Sequence, residues 1–200
     1  MGNIKNNLLF CENERRIIIS YLNLVEKNGV LVSFKELAKS SQLGRATIYR
    51  HFGSVRDIQT KINRGVLDEW DHRLRREIDR GFDVRRVFKK LLVFIFLHQT
   101  VFRAGLRTGS VNYFYLLICS FKDQLLKMWQ GYNADIKDEA FKMFAYEIVA
   151  ILVSWGERGF KEEEINTLVS RIIILIPLKV LRAISNNFSY SSVVCDYLYQ

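Results

Sequence analysis

The distribution of proline and glycine constrains the fold of this 200-residue chain more than any other feature. Pro177 is the only proline, and glycines cluster at joints between apolar stretches, as at Gly29, Gly81 and Gly131. Proline removes a backbone donor and disrupts a helix interior, whereas glycine readily ends a helix in a left-handed conformation. A chain nearly free of proline and punctuated by glycine therefore predicts an all-helical protein.

Apolar residues recur at three- and four-residue steps through most of the chain, and this period predicts the individual helices. We expect helices at residues 12–28, 34–41, 45–51, 54–80, 84–100, 101–107, 111–129, 140–155 and 162–184. Pro177 should kink or end the last of them. Residues 185–200 form a tail that mixes β-branched and aromatic residues, and the sequence assigns it no role.

Residues 33–57 are polar and basic where a core segment would be apolar. Ser33 and Glu36 predict a capping box at the start of one short helix, and residues 42–44 supply a turn before the next. That next helix, residues 45–51, spans two turns and is too short to be stable alone. It therefore needs the preceding helices as a platform, and its outward face suits a DNA major groove.

Charge agrees with a polyanionic partner. The chain carries a net charge of +9, and residues 1–65 hold eleven Lys/Arg against five Asp/Glu. Because phosphate neutralisation dominates DNA affinity, this local excess of +6 favours DNA binding. A solvated basic surface without a ligand explains the charge alone equally well.

Several residues of this stretch match a known pattern: Ser33-x-x-Glu36-Leu37-Ala38, Leu43-Gly44, Thr47-Ile48-Tyr49-Arg50-His51-Phe52, Ser54 and Asp57-Ile58. Over residues 12–62 the chain resembles the DNA-binding domain of TetR-type repressors. That resemblance implies DNA contacts from Ser33, Arg45, Ala46, Thr47, Tyr49, Arg50, His51 and Arg56. Val55 stands where the family usually has a phosphate-binding lysine, and the adjacent Arg56 is its expected substitute.

The resemblance also implies two domains. Residues 1–54 would form the N-terminal helix-turn-helix DNA-binding domain, and residues 55–200 a helical effector-binding and dimerisation domain. The long helix from Ser54 would then be the lever between the effector and the DNA.

Residues 84–130 hold eight Lys/Arg, one acid and interleaved aromatics, which suits an unknown small-molecule effector with an apolar body and an acidic group. The predicted effector pocket comprises Trp70, Phe88, Phe102, Arg103, Arg107, Tyr113, Phe114, Leu117, Phe121 and Phe144. An aromatic core beneath a solvated basic face explains the same pattern without a ligand.

Two apolar stripes near the C-terminus predict a homodimer interface, and Trp155-x-x-x-Gly159-Phe160 is similar to the end of many TetR-type bodies. The interface residues are Ile148, Ile151, Leu152, Trp155, Leu168, Val169, Ile172, Ile173 and Ile176. A homodimer would supply the two half-sites that a single short recognition helix needs. Alternatively, the two stripes pack against each other in the core of a single chain.

Motifs for catalysis are missing from the sequence. There is no GxGxxG, Walker A, GxSxG, HExxH or Cys/His spacing, and His51, His72 and His98 are scattered. We therefore expect no enzyme activity, no cofactor and no metal site. Three cysteines without a CxxC, and no apolar run of membrane-spanning length, predict a cytoplasmic protein with free thiols and no membrane partner.

The leading hypothesis is a homodimeric transcriptional repressor that a small-molecule effector releases from a palindromic DNA operator. The alternative is a DNA-binding dimer whose body docks a protein partner and has no small-molecule effector. A third hypothesis, the DNA-binding head of a site-specific recombinase, needs a catalytic domain that the apolar helical body argues against.

Overall fold

The structure is a computed structural model that describes residues 11–29, 32–81, 83–109, 114–120 and 138–176. All regular structure in these ranges is helical, without any strand, which confirms the predicted all-helical class for this part of the chain. None of the helices searched within these ranges combines the length and apolar character needed to cross a bilayer.

The helices follow the predicted order closely. They are α1 (Glu12–Asn28), α2 (Phe34–Ser41), α3 (Arg45–His51), α4 (Val55–Asp79), α5 (Val84–Leu97), α6 (Gln99–Arg107), α7 (residues 114–120), α8 (Asp138–Glu157) and α9 (Ile165–Leu175). A 3₁₀ turn, Glu162–Glu164, leads into α9. The tail 185–200 lies outside the described residues, as does most of the predicted helix 111–129.

Backbone packing divides the chain into two compact units. Unit 1 comprises Met1–Glu69 and Ile95–Tyr113, and unit 2 comprises Trp70–Phe94 and Phe114–Gln200. Helices α4 and α5 each contribute residues to both units. The functional division at residue 54 stays a prediction, because compactness of packing does not test it.

Unit 1 is built on α1, which packs against α2 and α6, while α2 packs against α3. The inner face of α1 is fully buried and consists of Ile17, Ile18, Tyr21, Leu22 and Val25. Each such apolar side chain stabilises the fold by about 1.5–3 kcal/mol when it leaves water. Helix α3 adds Ile48, with 0% of its surface exposed, and Phe52 follows it at 2%.

Local signals at the helix ends match the prediction. Gly29 ends α1 with a φ of 79°, a left-handed value that costs glycine nothing. Ser33 and Glu36 form both bonds of the predicted capping box at the start of α2. At the other end of α2, the Arg16 guanidinium donates to the Ser41 carbonyl at 2.7 Å and ties α1 to the turn before α3.

The ends of α5 and α9 lie earlier in the chain than the ends expected from the sequence. Helix α5 stops at Leu97 instead of residue 100, because His98 leaves helical geometry and places Nε2 3.4 Å from Glu69 Oε1. Helix α9 ends at Leu175, and Ile176 is extended with ψ of 120°. A residue before proline avoids the helical region, so this end agrees with the predicted effect of Pro177.

In unit 2, α8 packs against α9 around a structured corner. The Trp155 indole N–H donates to the Lys161 carbonyl at 3.0 Å, and its ring meets Phe160 edge-on with centroids 5.1 Å apart. Phe160 itself has a φ of 53°, which is strained for a side chain of this size. The buried aromatic pair and the indole hydrogen bond hold the corner in place.

Candidate functional site

Helix α3 presents almost its whole surface to solvent. Only Ile48 is fully buried, while Arg45, Ala46, Tyr49 and Arg50 are exposed and Thr47 is half-buried. A helix of seven residues owes its stability to its platform, so residues with no packing role are available for contacts outside the protein. Six of the eight predicted DNA-contact residues thus lie on α3, and four of these six are exposed.

Tyr49 is oriented by α2. Its ring meets Phe34 edge-on, with centroids 4.6 Å apart, yet 58% of the residue remains exposed. An edge-on aromatic pair contributes about 0.5–1.5 kcal/mol beyond simple burial. The ring is therefore held at one edge while the rest of it faces solvent beside the two arginines.

Arg45, Arg50 and Arg56 are exposed, and none makes an ion pair or hydrogen bond with a described residue. Arg56 lies in the first turn of α4, after the half-buried Val55. Their positive charge is therefore not neutralised by an ion pair within the described part of the chain. This part of unit 1 is a cationic surface.

Ser33 is engaged in helix capping. Its hydroxyl donates to Glu36 Oε2 at 2.7 Å and accepts from the Glu36 backbone N–H at 3.3 Å. The Ser33 backbone N–H, and then the hydroxyl, hold the pKa of Glu36 below its usual range. Ser33 would have to give up the bond to the carboxylate before its hydroxyl could donate to a phosphate.

His51 sits differently from the other predicted DNA contacts. Its side chain is 19% exposed, and Nδ1 lies 3.8 Å from Glu14 Oε1 and 3.9 Å from Cys11 Sγ. Residues Cys11 and Glu14 were not among the predicted site residues. No pattern in the sequence could have shown this grouping, because it depends on how α1 and α3 pack.

The residues of the predicted effector pocket divide between the two units. Phe102, Arg103 and Arg107 belong to unit 1, and Trp70, Phe88, Phe114, Leu117 and Phe144 belong to unit 2. Tyr113 and Phe121 lie outside the described residues. The aromatic members are buried, and Phe88 meets Phe144 edge-on with centroids 6.3 Å apart.

The two arginines of that set hold helices together. Arg107 donates to the backbone carbonyls of Val25 and Glu26 in the last turn of α1. Arg103 donates to Gln99 Oε1 at 2.6 Å and lies 3.7 Å from Glu26 Oε1. A cation at a helix C-terminus neutralises the partial negative charge of the last carbonyls. This contact gives both arginines a structural role in unit 1.

A basic cavity of about 480 Å³ lies between α4 and α5 within unit 2. Its charged wall consists of Arg73, Arg76, Arg80, Arg86, Lys89, Lys90 and a single acid, Glu77. Its apolar wall consists of Trp70, Leu74, Val87 and Val93. The sequence holds a signal for it, since these cations recur at three- and four-residue spacing on both helices and therefore share helix faces.

Glu77 organises the cavity wall. Its buried carboxylate binds Lys90 and lies 3.3 Å from Arg86 Nε and 3.6 Å from an Arg80 nitrogen. The hydrogen bond from Lys90 lowers the pKa of Glu77, burial opposes that effect, and the charges of Arg86 and Arg80 reinforce it. Glu77 thus neutralises part of the wall while the other cations keep it positive.

Three further polar groups of residues that line the cavity have no polar partner among the described residues. The Trp70 residue is only 2% exposed, and its buried indole N–H has no hydrogen-bond acceptor among the described residues. Arg76 and Lys89 are exposed and make no ion pair with a described residue. A buried unsatisfied N–H costs about 1–3 kcal/mol, which an acceptor from a ligand would recover.

The predicted dimer residues lie mostly inside unit 2. Eight of the nine (Ile148, Leu152, Trp155, Leu168, Val169, Ile172, Ile173 and Ile176) are buried within the single chain, and Ile151 is half-buried. Among the side chains of α8 and α9 that the structure describes, the exposed large apolar ones are Met143, Tyr146 and Ile174, each at more than 60%. Contact with a second copy through these helices would therefore use the exposed set.

No family model matches this chain, and no curated protein or solved structure matches it either. The resemblance to TetR-type repressors therefore depends on the motif residues between Ser33 and Ile58 and on the shorter pattern Trp155-x-x-x-Gly159-Phe160.

Proposed function

We propose that the protein is a DNA-binding transcriptional regulator in which α3 enters the major groove. The observation that carries the proposal is the surface of α3, where Arg45, Tyr49 and Arg50 are exposed and Ile48 is the one fully buried residue. A helix held by a platform and lined with arginines can reach base edges, where arginine pairs with guanine. The motif between Ser33 and Ile58 supports the same interpretation.

Phosphate contacts would come from the flanking cations and hydroxyls. Arg56 extends from the first turn of α4, and Thr47 is half-buried on α3. Arg56 is the natural replacement for the lysine that TetR-type repressors usually carry at the position of Val55. His51 and Ser33 would contribute only after giving up the interactions they make within the chain.

A homodimer and a small anionic effector complete the proposal. Two copies would read two half-sites of a palindromic operator, which raises both affinity and specificity. The cavity between α4 and α5 supports an anionic effector, since its lining holds six cations and one carboxylate. The rival in which the body docks a protein partner and takes no effector predicts no stabilisation by small anions.

Titration of a labelled duplex library of random sequence tests the DNA-binding surface. Wild type is expected to bind with steep salt dependence, because each phosphate contact contributes about 0.9 to the slope of log affinity against log salt. The double variant Arg45→Ala with Tyr49→Ala should lose binding. Equal binding by wild type and this variant would exclude α3 as the contact surface.

Lys27→Ala is the matched control for the loss of charge. Lys27 is an exposed cation in the last turn of α1. The start of α1 approaches the end of α3 through Glu14 and His51, and Lys27 lies about 20 Å further along the helix axis. Binding by Lys27→Ala should therefore match that of wild type at every salt concentration.

A further inference from the structure

Three side chains with metal-ligating atoms converge where α1 begins and α3 ends. Cys11 is the N-cap residue of α1, and Glu14 is the third residue of the same helix. An N-cap side chain and one three residues later lie on the same side of the first turn. His51 is the last residue of α3, and the packing of α2 against both α1 and α3 brings it to that turn.

The distances suit a single ion. His51 Nδ1 is 3.9 Å from Cys11 Sγ and 3.8 Å from Glu14 Oε1, and the three ligand atoms all lie within 4.8 Å of one another. A tetrahedral Zn²⁺ with ordinary bond lengths holds sulfur, nitrogen and oxygen ligands about 3.3–3.6 Å apart. His51 Nδ1 would have to approach the other two atoms by a few tenths of an ångström, and Cys11 Sγ and Glu14 Oε1 would have to approach each other by at most about 1.5 Å, which side-chain rotations can supply.

The histidine ring is presented through one nitrogen. Nε2 of His51 is buried and has no hydrogen-bond partner among the described residues, so Nδ1 makes the polar contacts of the ring. The Glu14 side chain is 13% exposed, and Cys11 is exposed. The ligand residues are thus half-buried or exposed, which leaves a coordination position for water and a path for an ion to enter.

The donor set selects the class of ion. Thiolate, imidazole and carboxylate together are ligands of Zn²⁺ and similar divalent transition metals. Ca²⁺ and Mg²⁺ prefer sites made of oxygen atoms and would gain little from Cys11 or His51.

Lys61 competes for the same carboxylate. Its ammonium lies 2.9 Å from Glu14 Oε1, and its side chain is 42% exposed. An arriving cation would displace this ammonium, which can rotate into solvent. Removing the positive charge of Lys61 should therefore favour metal binding.

We propose that Cys11, Glu14 and His51 bind a divalent transition-metal ion of the Zn²⁺ type, which joins the start of α1 to the end of α3. Bound metal fixes the seven-residue α3 against its platform. Bound metal should also raise DNA affinity, because a pre-organised helix loses less entropy on binding. This consequence rests on the proposed function, whereas the metal site itself does not.

Co²⁺ titration of the full chain tests the site, since thiolate coordination gives Co²⁺ a charge-transfer absorption band. The starting variant carries Cys119→Ser and Cys195→Ser, so that Cys11 is its only thiol. We expect the band to appear with one ion per chain and to disappear when Zn²⁺ is added. No band in this variant would overturn the proposal.

Ligand variants identify the donors, each beside a matched control. Cys11→Ser should abolish the band, and the protein should fold, because serine is a favourable N-cap residue. His51→Ala and Glu14→Gln should each lower Co²⁺ affinity about tenfold or more, since even outer-shell changes cost 10–100-fold. The controls His72→Ala and Glu12→Gln should leave affinity unchanged. Unchanged affinity in His51→Ala and Glu14→Gln would show that Cys11 alone holds the ion and overturn the site.

Two more readouts separate the possible failures. Lys61→Gln should bind Co²⁺ several-fold more tightly than the starting variant, and weaker binding would contradict a role for Glu14. Saturating Zn²⁺ should raise the Tm of wild type by about 5 °C or more and leave that of Cys11→Ser unchanged. Equal shifts in the two would overturn the site.

DNA titrations with and without Zn²⁺ complete the test. We expect Zn²⁺ to tighten DNA binding by wild type and to leave DNA binding by Cys11→Ser unchanged. A wild-type DNA affinity that is insensitive to Zn²⁺ would refute the coupling between metal binding and DNA binding. Co²⁺ binding by a chain that binds no DNA under either condition would refute the proposed function and leave the metal site standing.

Discussion

Glu77 shows how a single buried carboxylate sets the charge of a surface. It neutralises Lys90 and Arg86 at the wall of the α4–α5 cavity, and these contacts hold its pKa below the ordinary value of 4.5. A group whose pKa is lowered on folding contributes stability above its unfolded pKa. That contribution is lost as the pH falls through the lowered, folded pKa.

Glu77→Gln should therefore lower the free energy of unfolding by about 2 kcal/mol at neutral pH, because charged hydrogen bonds contribute about 1.5–3 kcal/mol. The deficit should narrow as the pH falls below 4.5 and through the folded pKa, where wild type loses the same carboxylate charge. Urea denaturation of wild type and Glu77→Gln between neutral pH and pH values below 4.5 measures this deficit. Asp79→Asn, an exposed acid of the same helix, is the control, and a deficit independent of pH would contradict the account.

His51 marks where sequence reasoning stops at the residue scale. The resemblance implies a DNA contact for His51, which stays a prediction, while its packing brings Nδ1 3.9 Å from Cys11 Sγ and 3.8 Å from Glu14 Oε1. Ser33 and Glu36 lie three residues apart, and their capping box was predictable because it is local. Cys11 and His51 lie 40 residues apart, and only the packing of helices decides such a contact.

At the scale of elements, the helices were largely predictable because short-range signals decide them. Gly29 ends α1, the capping box starts α2, and Pro177 follows the end of α9. The break between α5 and α6 was placed three residues too late. His98 causes it by turning toward Glu69, and no local pattern in the sequence encodes that contact.

The predicted effector-pocket residues were harder to place from the sequence than the helices. Aromatic side chains predicted its walls, yet Arg103 and Arg107 bind the C-terminal turn of α1 and the aromatics are core. Apolar periodicity cannot distinguish a core from a ligand-lined cavity, because both bury the same residues. Cations at three- and four-residue spacing on α4 and α5 are instead the sequence signal for the cavity that lies between these helices.

The cavity between α4 and α5 predicts that small organic anions stabilise the protein. A thermal-shift panel of aromatic carboxylates and phosphorylated metabolites should give at least one ligand that raises the Tm. Arg76→Ala with Lys89→Ala should weaken that ligand about tenfold or more, because each lost charged hydrogen bond costs about 1.5–3 kcal/mol.

The control for this test is the double variant Arg75→Ala with Arg85→Ala. It removes one exposed cation from each of α4 and α5, and neither of these residues lines the cavity. It should bind the ligand as wild type does. Equal weakening in both double variants would show a response to net charge instead of a site. A panel without any stabilising anion would favour the protein-partner alternative.

At the scale of the whole molecule, we expect the protein to form a homodimer. Most of the predicted interface is buried inside one copy, so the dimer should form through exposed apolar residues of α8 and α9 such as Met143 and Ile174. Burying such side chains drives association, whereas charging them opposes it. Light scattering should give twice the chain mass of 23.5 kDa.

Met143→Glu with Ile174→Glu should shift that mass toward one copy. Leu97→Glu, at an exposed apolar residue of α5, is the control and should remain dimeric. A monomeric wild type at concentrations that bind DNA would contradict the homodimer. A double variant that remains dimeric would place the interface elsewhere.

Selection from a random-sequence duplex library would show whether the exposed face of α3 recognises duplex DNA, as we propose. Wild type should enrich an inverted repeat, because two copies of α3 would read two half-sites. Arg45→Ala with Tyr49→Ala should enrich nothing, while Lys27→Ala should enrich the same repeat. Failure of wild type to enrich any sequence, or enrichment of the same repeat by the Arg45 and Tyr49 variant, would contradict the account.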